Sequence, residues 1–348
     1  MELGFSPRGI YTLKAKACPI LLLIIIVFLA ALACDREKNT AQAQGQPSNA
    51  AAADNPSASK TSISFPPDQG PPPAIDGNRA MQYVKEIVAF GPRPIGSANH
   101  KKVEDYITSH LKGDVVEDDR FTADTPEGKF PVHNIIAKFP GKRDGIIVIA
   151  SHYDTNYPLR NTSFIGANDG ASSSALLLEI ANQLRGKNRE GYSVWLVWDD
   201  AEESVKPDNQ VAFLNDSLYG IRHLAETWQA DGTLKKIKAF LLADMIGDAD
   251  LDIDRDQNST PWLEDALYEA ATRLGYQSHF FARNNQVSDD HLPFVQRGVP
   301  SADIIDFTYG YNNVFWHTPQ DTVDKLSPKS LEIVGSVILE TVRLLDTK

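Results

Sequence analysis

The chain has 348 residues, 42% of them hydrophobic, enough to build one large α/β domain or two smaller ones. A formal net charge of −12 argues against a nucleic-acid partner, which needs a basic face. With two cysteines only, Cys18 and Cys34, the chain has no thiolates for a Cys-rich structural zinc site.

Arg8, Lys14 and Lys16 precede an apolar run from Pro19 to Ala33, which ends in Ala31-Leu32-Ala33 before Cys34. A basic start, an apolar stretch and small residues are the grammar of an export signal, so residues 1–33 are read as a signal peptide. The run is short against the roughly 20 apolar residues of a membrane helix, and a retained anchor is the alternative. Small residues directly before Cys resemble a bacterial lipoprotein cleavage site, although Ala31 stands where such sites usually have Leu. Cleavage there removes Cys18, and lipidation of Cys34 would attach the mature chain to a membrane. The expected location is outside the cytoplasm, periplasmic or cell-surface. Residues 34–73 are rich in Ala, Ser, Asn, Gln and Pro and are read as a flexible tether.

A folded domain is expected over residues 75–348. Helical spacing of Met81, Val84, Ile87 and Val88 predicts a helix from Asn78 to Phe90, stopped by Gly91-Pro92. A second helix is expected over 99–112. Asp114 to Phe121 and Val132 to Phe139 read as strands across a turn with Pro126 and Gly128. Gly145 to Ala150 is a continuous, β-branched apolar run, as in a strand covered on both faces. Ala171 to Leu184 follows as a helix, then a buried strand from Tyr192 to Trp198. Ser217 to Gln229 (helix), Ile237 to Met245 (strand), Trp262 to Leu274 (helix), Val299 to Phe307 (strand) and Leu331 to Leu345 (helix) complete the series. Strands alternating with helices predict a three-layer α/β fold: a largely parallel mixed sheet with helices on both faces.

The polar residues fall where such a sheet carries its ligands, outside the carboxyl ends of its strands. His152 and Asp154 follow the first buried strand, and Asp169 precedes a helix. Asp199, Asp200, Glu202 and Glu203 follow the second buried strand, Asp244 and Asp248 the third, and His317 lies in the loop after Phe307. Imidazole and carboxylate donors at a site with an open position suit catalytic zinc. Each residue has a plainer reading. Asp169 could cap its helix, Asp244 could end its strand, and Glu202-Glu203 could be a solvated pair. Adjacent extended residues point to opposite sides, however, so one glutamate can bind metal while its neighbour faces substrate.

Together these residues resemble the zinc aminopeptidase family that also contains the glutaminyl-peptide cyclotransferases. The likeness rests on Gly91-Pro92-Arg93 with Gly96-Ser97, Ser151-His152-Tyr153-Asp154, Gly166-Ala167-Asn168-Asp169, Glu202-Glu203, Leu242-Ala243-Asp244 and His317-Thr318. Three segments resemble the cyclotransferase branch: Ser217 to Ala225, Asp289-Asp290-His291-Leu292-Pro293-Phe294 with Arg297-Gly298-Val299-Pro300, and Trp316-His317-Thr318. The resemblance implies Asp169, Glu203 and His317 as the ligands of one zinc ion and Glu202 as general acid/base. It implies Asp244 and Asp289 as a hydrogen-bonded acidic network beside Glu202, and Trp316 as a wall of the substrate pocket. Dinuclear aminopeptidases of the same family bind a second zinc through the equivalents of His152 and Asp244, so ligand identity does not separate the branches. The chain departs from animal cyclotransferases at Ser151, where they have Cys, and at Asp303, where they have His. It departs also in a longer Ser204 to Leu214 stretch that lacks their pocket Trp.

The expected activity is conversion of N-terminal glutamine of peptides or proteins to pyroglutamate with release of ammonia. The alternatives are a dinuclear zinc aminopeptidase and a non-catalytic peptide-binding ectodomain on a lipid tether.

Overall fold

The computed structural model describes residues 65–67, 70–207 and 216–347. The expected signal peptide, Cys34 and most of the tether lie outside them, as do positions 208–214 of the long 204–214 stretch.

Two helices open the domain, α1 (Gly77–Val88) and α2 (Ala98–His110), each capped by its predecessor, Asp76 and Ser97. A hairpin follows, β1 (Val115–Thr125) and β2 (Gly128–Phe139), in antiparallel register across the Pro126-Glu127 turn. Next come β3 (Gly141–His152), α3 (Ala171–Leu184), β4 (Arg189–Asp199), α4 (Tyr219–Ala230) and β5 (Ile237–Asp244). The last third adds α5 (Pro261–Leu274), a short α6 (Leu292–Val295), β8 (Ser301–Ile305) and α7 (Pro328–Leu345). Two strands absent from the sequence reading, β6 (Ile253–Asp256) and β7 (Phe280–Asn285), pair in parallel as a separate small sheet.

The main sheet runs β1-β2-β4-β3-β5-β8. β4, β3, β5 and β8 are parallel and β2 is antiparallel to β4, which is the mixed, largely parallel sheet expected. Alternation sorts each central strand between two cores. Ile147, Ile149, Leu196, Trp198, Leu241 and Ala243 pack under α1, α3, α5 and α7. Ile146, Val148, Val197, Phe240 and Leu242 face α4, which contributes Ile221, Leu224 and Trp228. Both faces are therefore dry, and the polar groups collect at the sheet's carboxyl edge.

The end of the expected tether is tied to this domain. Phe65 packs against the larger core, the Pro66 carbonyl accepts from Arg273, and the Pro71 carbonyl accepts from Arg343 at 2.9 Å. Arginines on α5 and α7 thus satisfy backbone that composition alone assigns to a loose segment.

Candidate active site

Because β3, β4, β5 and β8 run the same way, their last residues emerge at one edge. His152 ends β3 and is 1% exposed. Its Nε2 lies 3.3 Å from Asp169 Oδ1 and 3.3 Å from Asp244 Oδ1, at the end of β5. Asp169 is the turn residue before α3, yet no side chain caps that helix at Gly170. Its other oxygen, Oδ2, faces His317 Nε2 at 3.3 Å. His317 Nε2 is also 3.2 Å from Glu203 Oε2. Asp169, Glu203 and His317 therefore converge, with ligand atoms all within 4.8 Å of one another, and so do His152, Asp169 and Asp244. Asp169 is common to both groups, one oxygen in each.

Backbone devices hold these side chains. Gly170 has φ +83, and a Cβ there would come within 2.9 Å of the His152 ring, so glycine leaves room for the imidazole. Asp321 accepts the amides of Asn168 at 2.8 Å and Asp169 at 3.1 Å. Asp154 does the same for the amides of Glu202 and Glu203, at 3.2 and 3.3 Å. Between β4 and the glutamates, Ala201 adopts φ +58, and the carbonyls of Asp200, Ala201 and Glu202 accept the amides of Gly220, Tyr219 and Leu218. The start of α4 is thus fastened to the glutamate turn. Arg93 is fully buried; its guanidinium donates to the carbonyls of Tyr153 (2.7 Å), Ile165, Gly166 (3.0 Å) and Asp169 (3.3 Å). One planar fork therefore ties the His152 loop to the Asp169 loop.

Glu202 and Glu203 are both buried and diverge as expected. Glu203 turns to His317 and accepts from Asn156 Nδ2 at 2.8 Å; Glu202 turns to His152, 4.0 Å from its Nδ1. Burial, with the charges of Glu203, Asp289 and Asp154, pushes the Glu202 carboxyl well above its ordinary range. Burial raises Glu203 to about 7. Asp169 moves the other way: against the effect of burial, the contacts to His152 and His317 hold it below its ordinary value. Burial, then the charge of Asp244, raises Asp289 well above the carboxylate range. Asp289 Oδ1 accepts the Asp290 amide at 2.6 Å, while Asp244 is engaged by His152. Asp244 is the strongest charge acting on Asp289, which links the two acids beside Glu202. The Trp316 ring, half-buried, stacks on His317 with centroids 4.1 Å apart.

Some predicted polar residues serve elsewhere. Asp200 is a scaffold, 2.6 Å from His100 Nε2 and accepting the His133 amide at 2.9 Å. Asp199 faces Asp290, and burial raises it to about 6. Asp248 lies in the loop beyond β5, where its carbonyl accepts from Ser330 at 2.5 Å. Asn156 and Asp321 escaped the sequence reading. Asp321, four residues after His317, carried a signal only in its distance from that histidine.

The residues present fit a zinc ion. Asp169 Oδ2 and Glu203 Oε1 are buried with no hydrogen-bond partner, and the donors are one imidazole and two carboxylates. A cation among them would return Glu203 to its ionised form.

Peptidase family M28 matches residues 134–342. The glutaminyl-peptide cyclotransferase of Drosophila melanogaster is 30% identical over 276 residues, 71% of this chain and 75% of that protein. The chain belongs to family M28, in its glutaminyl-peptide cyclotransferase branch. Among solved structures, an Acidobacteriales bacterium glutaminyl cyclase shares 49% identity at TM-score 0.77, covering 82% of this chain and 99% of that one. A Zn-dependent exopeptidase from Parabacteroides distasonis shares 26% at TM-score 0.70, covering 78% and 99%. Both activities of the family thus occur on this fold, and the M28 sheet carries the strand ends described above.

Proposed function

We propose that this chain is a zinc-dependent glutaminyl-peptide cyclotransferase, which closes N-terminal glutamine of peptides to pyroglutamate and releases ammonia. The observation that carries the proposal is Glu202. It is a buried carboxyl held well above its ordinary pKa, beside a three-residue cation seat and not part of it.

Asp169, Glu203 and His317 would hold one zinc ion. Bound there, it supplies Lewis acidity toward the oxygen of the glutamine side-chain amide. Glu202 accepts a proton from the substrate's α-amine as that nitrogen bonds to the side-chain carbonyl carbon. It returns the proton to the departing amide nitrogen, which leaves as ammonia. The nucleophile belongs to the substrate, so ring closure gains from proximity and needs no activated water. Asp289 lies among the acids that raise Glu202, and Asp244 acts in turn on Asp289, so the two tune the proton exchange at Glu202 from beside it. Trp316, stacked on His317, offers a flat apolar wall for the folded-back side chain.

The dinuclear aminopeptidase reading is favoured by one fact, the two oxygens of Asp169 facing two different histidines. Zinc-loaded protein incubated with a Gln-initiated peptide separates the two. Loss of one ammonia by mass supports the cyclotransferase, and a freed amino acid together with a second zinc ion between His152 and Asp244 refutes it. Glu202→Gln should keep its zinc and lose nearly all turnover; near-normal turnover would remove Glu202 from the mechanism.

The leader and Cys34 support an exported, lipid-anchored enzyme meeting its peptide substrates outside the cytoplasm. Mass spectrometry of the mature N-terminus tests this: a lipid-modified Cys34 is expected, and a chain still beginning at Met1 would refute it.

A further inference from the structure

Away from the Asp169 group, three side chains from different elements meet in the interior. Asp256 ends β6, His291 precedes α6, and Asp303 sits in the middle of β8. They are 1%, 0% and 0% exposed. Each offers one ligand atom, and the three atoms lie within 4.8 Å of one another. His291 Nε2 is 3.1 Å from Asp256 Oδ2, and its Nδ1 is 3.9 Å from Asp303 Oδ2. Nε2 is paired with Asp256, but Nδ1 and both oxygens of Asp303 make no hydrogen bond. Buried polar atoms are nearly always paired, and a buried charge without a partner is among the most expensive features a fold can keep.

The Asp256 carboxylate and the Asp303 main chain are held in place independently of the imidazole. Asp256 accepts the amides of Val287 at 2.9 Å and Asn258 at 3.2 Å, and the Ser259 hydroxyl at 2.8 Å. The Asp303 amide donates to the same Ser259 hydroxyl at 2.9 Å. The site is thus built on two strands and a shared serine. It is also strongly acidic, since Asp289, Asp244 and Glu264 add their charges around Asp303. Arg255 is engaged with Glu264 at 3.5 Å and Asp265 at 3.1 Å. Like Asp169, Glu203 and His317, the group joins one imidazole to two carboxylates, with ligand atoms within 4.8 Å of one another and buried oxygens left without a hydrogen bond.

We propose that Asp256, His291 and Asp303 form a separate, closed site for a divalent transition-metal ion of the zinc type. One imidazole and two carboxylates are a mixed N/O set, which favours zinc over calcium or magnesium. All three donors are cut off from solvent, so the ion is structural: it takes no substrate. Its work is to pin the turn bearing Asp289 and Asp290 to β6 and β8. That turn is part of the charge environment of Glu202, so the ion sets the position of the acids around the active site without touching it.

The proposal does not depend on which reaction the chain catalyses, and its test reads metal rather than turnover. Crystals of the zinc-loaded protein are measured on both sides of the zinc absorption edge. An anomalous peak enclosed by Asp256, His291 and Asp303, separate from any peak at Asp169, is expected. A peak at Asp169 with none at His291 overturns the proposal, because the cluster then holds protons only. Metal analysis of His291→Gln and, independently, Asp303→Asn should show one zinc fewer per chain than wild type. Unchanged metal content in either folded variant also overturns it. Should both variants fail to fold, the wild-type anomalous map still decides.

Discussion

Asp154 holds Glu203 by the main chain: its Oδ2 accepts the Glu203 amide at 3.3 Å while its Oδ1 accepts the Glu202 amide at 3.2 Å. Both glutamate side chains are left free, one for the cation seat and one for the proton. In Asp154→Asn an NH₂ replaces one acceptor and confronts an amide N–H. A buried donor left without a partner costs about 1–3 kcal/mol. Groups that orient metal ligands typically change affinity by about 10–100-fold when lost. Chelator competition should therefore show weaker zinc binding in this variant, with turnover restored at high zinc. Wild-type affinity would mean that the glutamate turn holds itself.

Gly220 lets α4 close on that turn. A Cβ at this position would lie 2.1 Å from the Asp200 carbonyl oxygen and 2.4 Å from Asn134 Oδ1. Gly220→Ala must push the helix away from the glutamates, at a cost of about 1–3 kcal/mol. Urea unfolding should register that loss together with a fall in kcat. A variant with unchanged midpoint and kcat would show that the helix start gives way freely.

Arg93→Lys tests the fork between the His152 and Asp169 loops. An ammonium cannot reach carbonyls from Tyr153 to Asp169 in the planar pattern that the guanidinium uses. Removing these charge-assisted bonds from a wholly buried site should cost about 3–5 kcal/mol. The check is denaturant unfolding of the metal-free protein, where loss of zinc does not contribute.

Metal-free protein should lose stability as pH rises. Burial raises Glu203 from 4.5 to about 7, and the folded state prefers its neutral form. Stability from this group is complete below the unfolded value of 4.5 and fades as pH passes through about 7. Asp199, raised from 3.8 to about 6, acts in the same direction. Melting temperature of the metal-free chain should fall across this window, and the slope should flatten in Glu203→Gln. Saturating zinc should reverse the trend, since ligand carboxylates bind ionised. A flat metal-free profile would contradict the burial argument.

Much of this was legible in one dimension because the signals are periodic. The β-branched run Gly145 to Ala150 could satisfy its alternation only between two covered faces, and α3 begins and ends at the residues its spacing marked. The α4 start was two residues out, because Leu218 takes φ +56 to reach the Glu202 carbonyl, a contact that spacing does not encode. β8 is shorter than the run Val299 to Phe307, since only Ser301–Ile305 finds a partner in β5. β6 and β7 escaped because Ile253–Asp256 and Phe280–Asn285 are short and polar. Asp254 and Asp256 are buried by their neighbours, not by any hydrophobic pattern of their own.

The amino-acid order by itself determined the layer architecture and the collection of His152, Asp169, Glu202, Glu203, Asp244 and His317 at one sheet edge. Parallel strands must send their last residues the same way, so strand order and polarity carry that far. Only the tertiary structure decided which oxygen meets which nitrogen: that Asp169 divides its two oxygens between His152 and His317, and that Glu202 turns away from the seat Glu203 enters. It alone brought Asp256, His291 and Asp303 together. Side-chain direction depends on turns such as Ala201 at φ +58 and on long-range amide contacts to Asp154 and Asp321. Those contacts join residues far apart in the chain, so no local spacing records them.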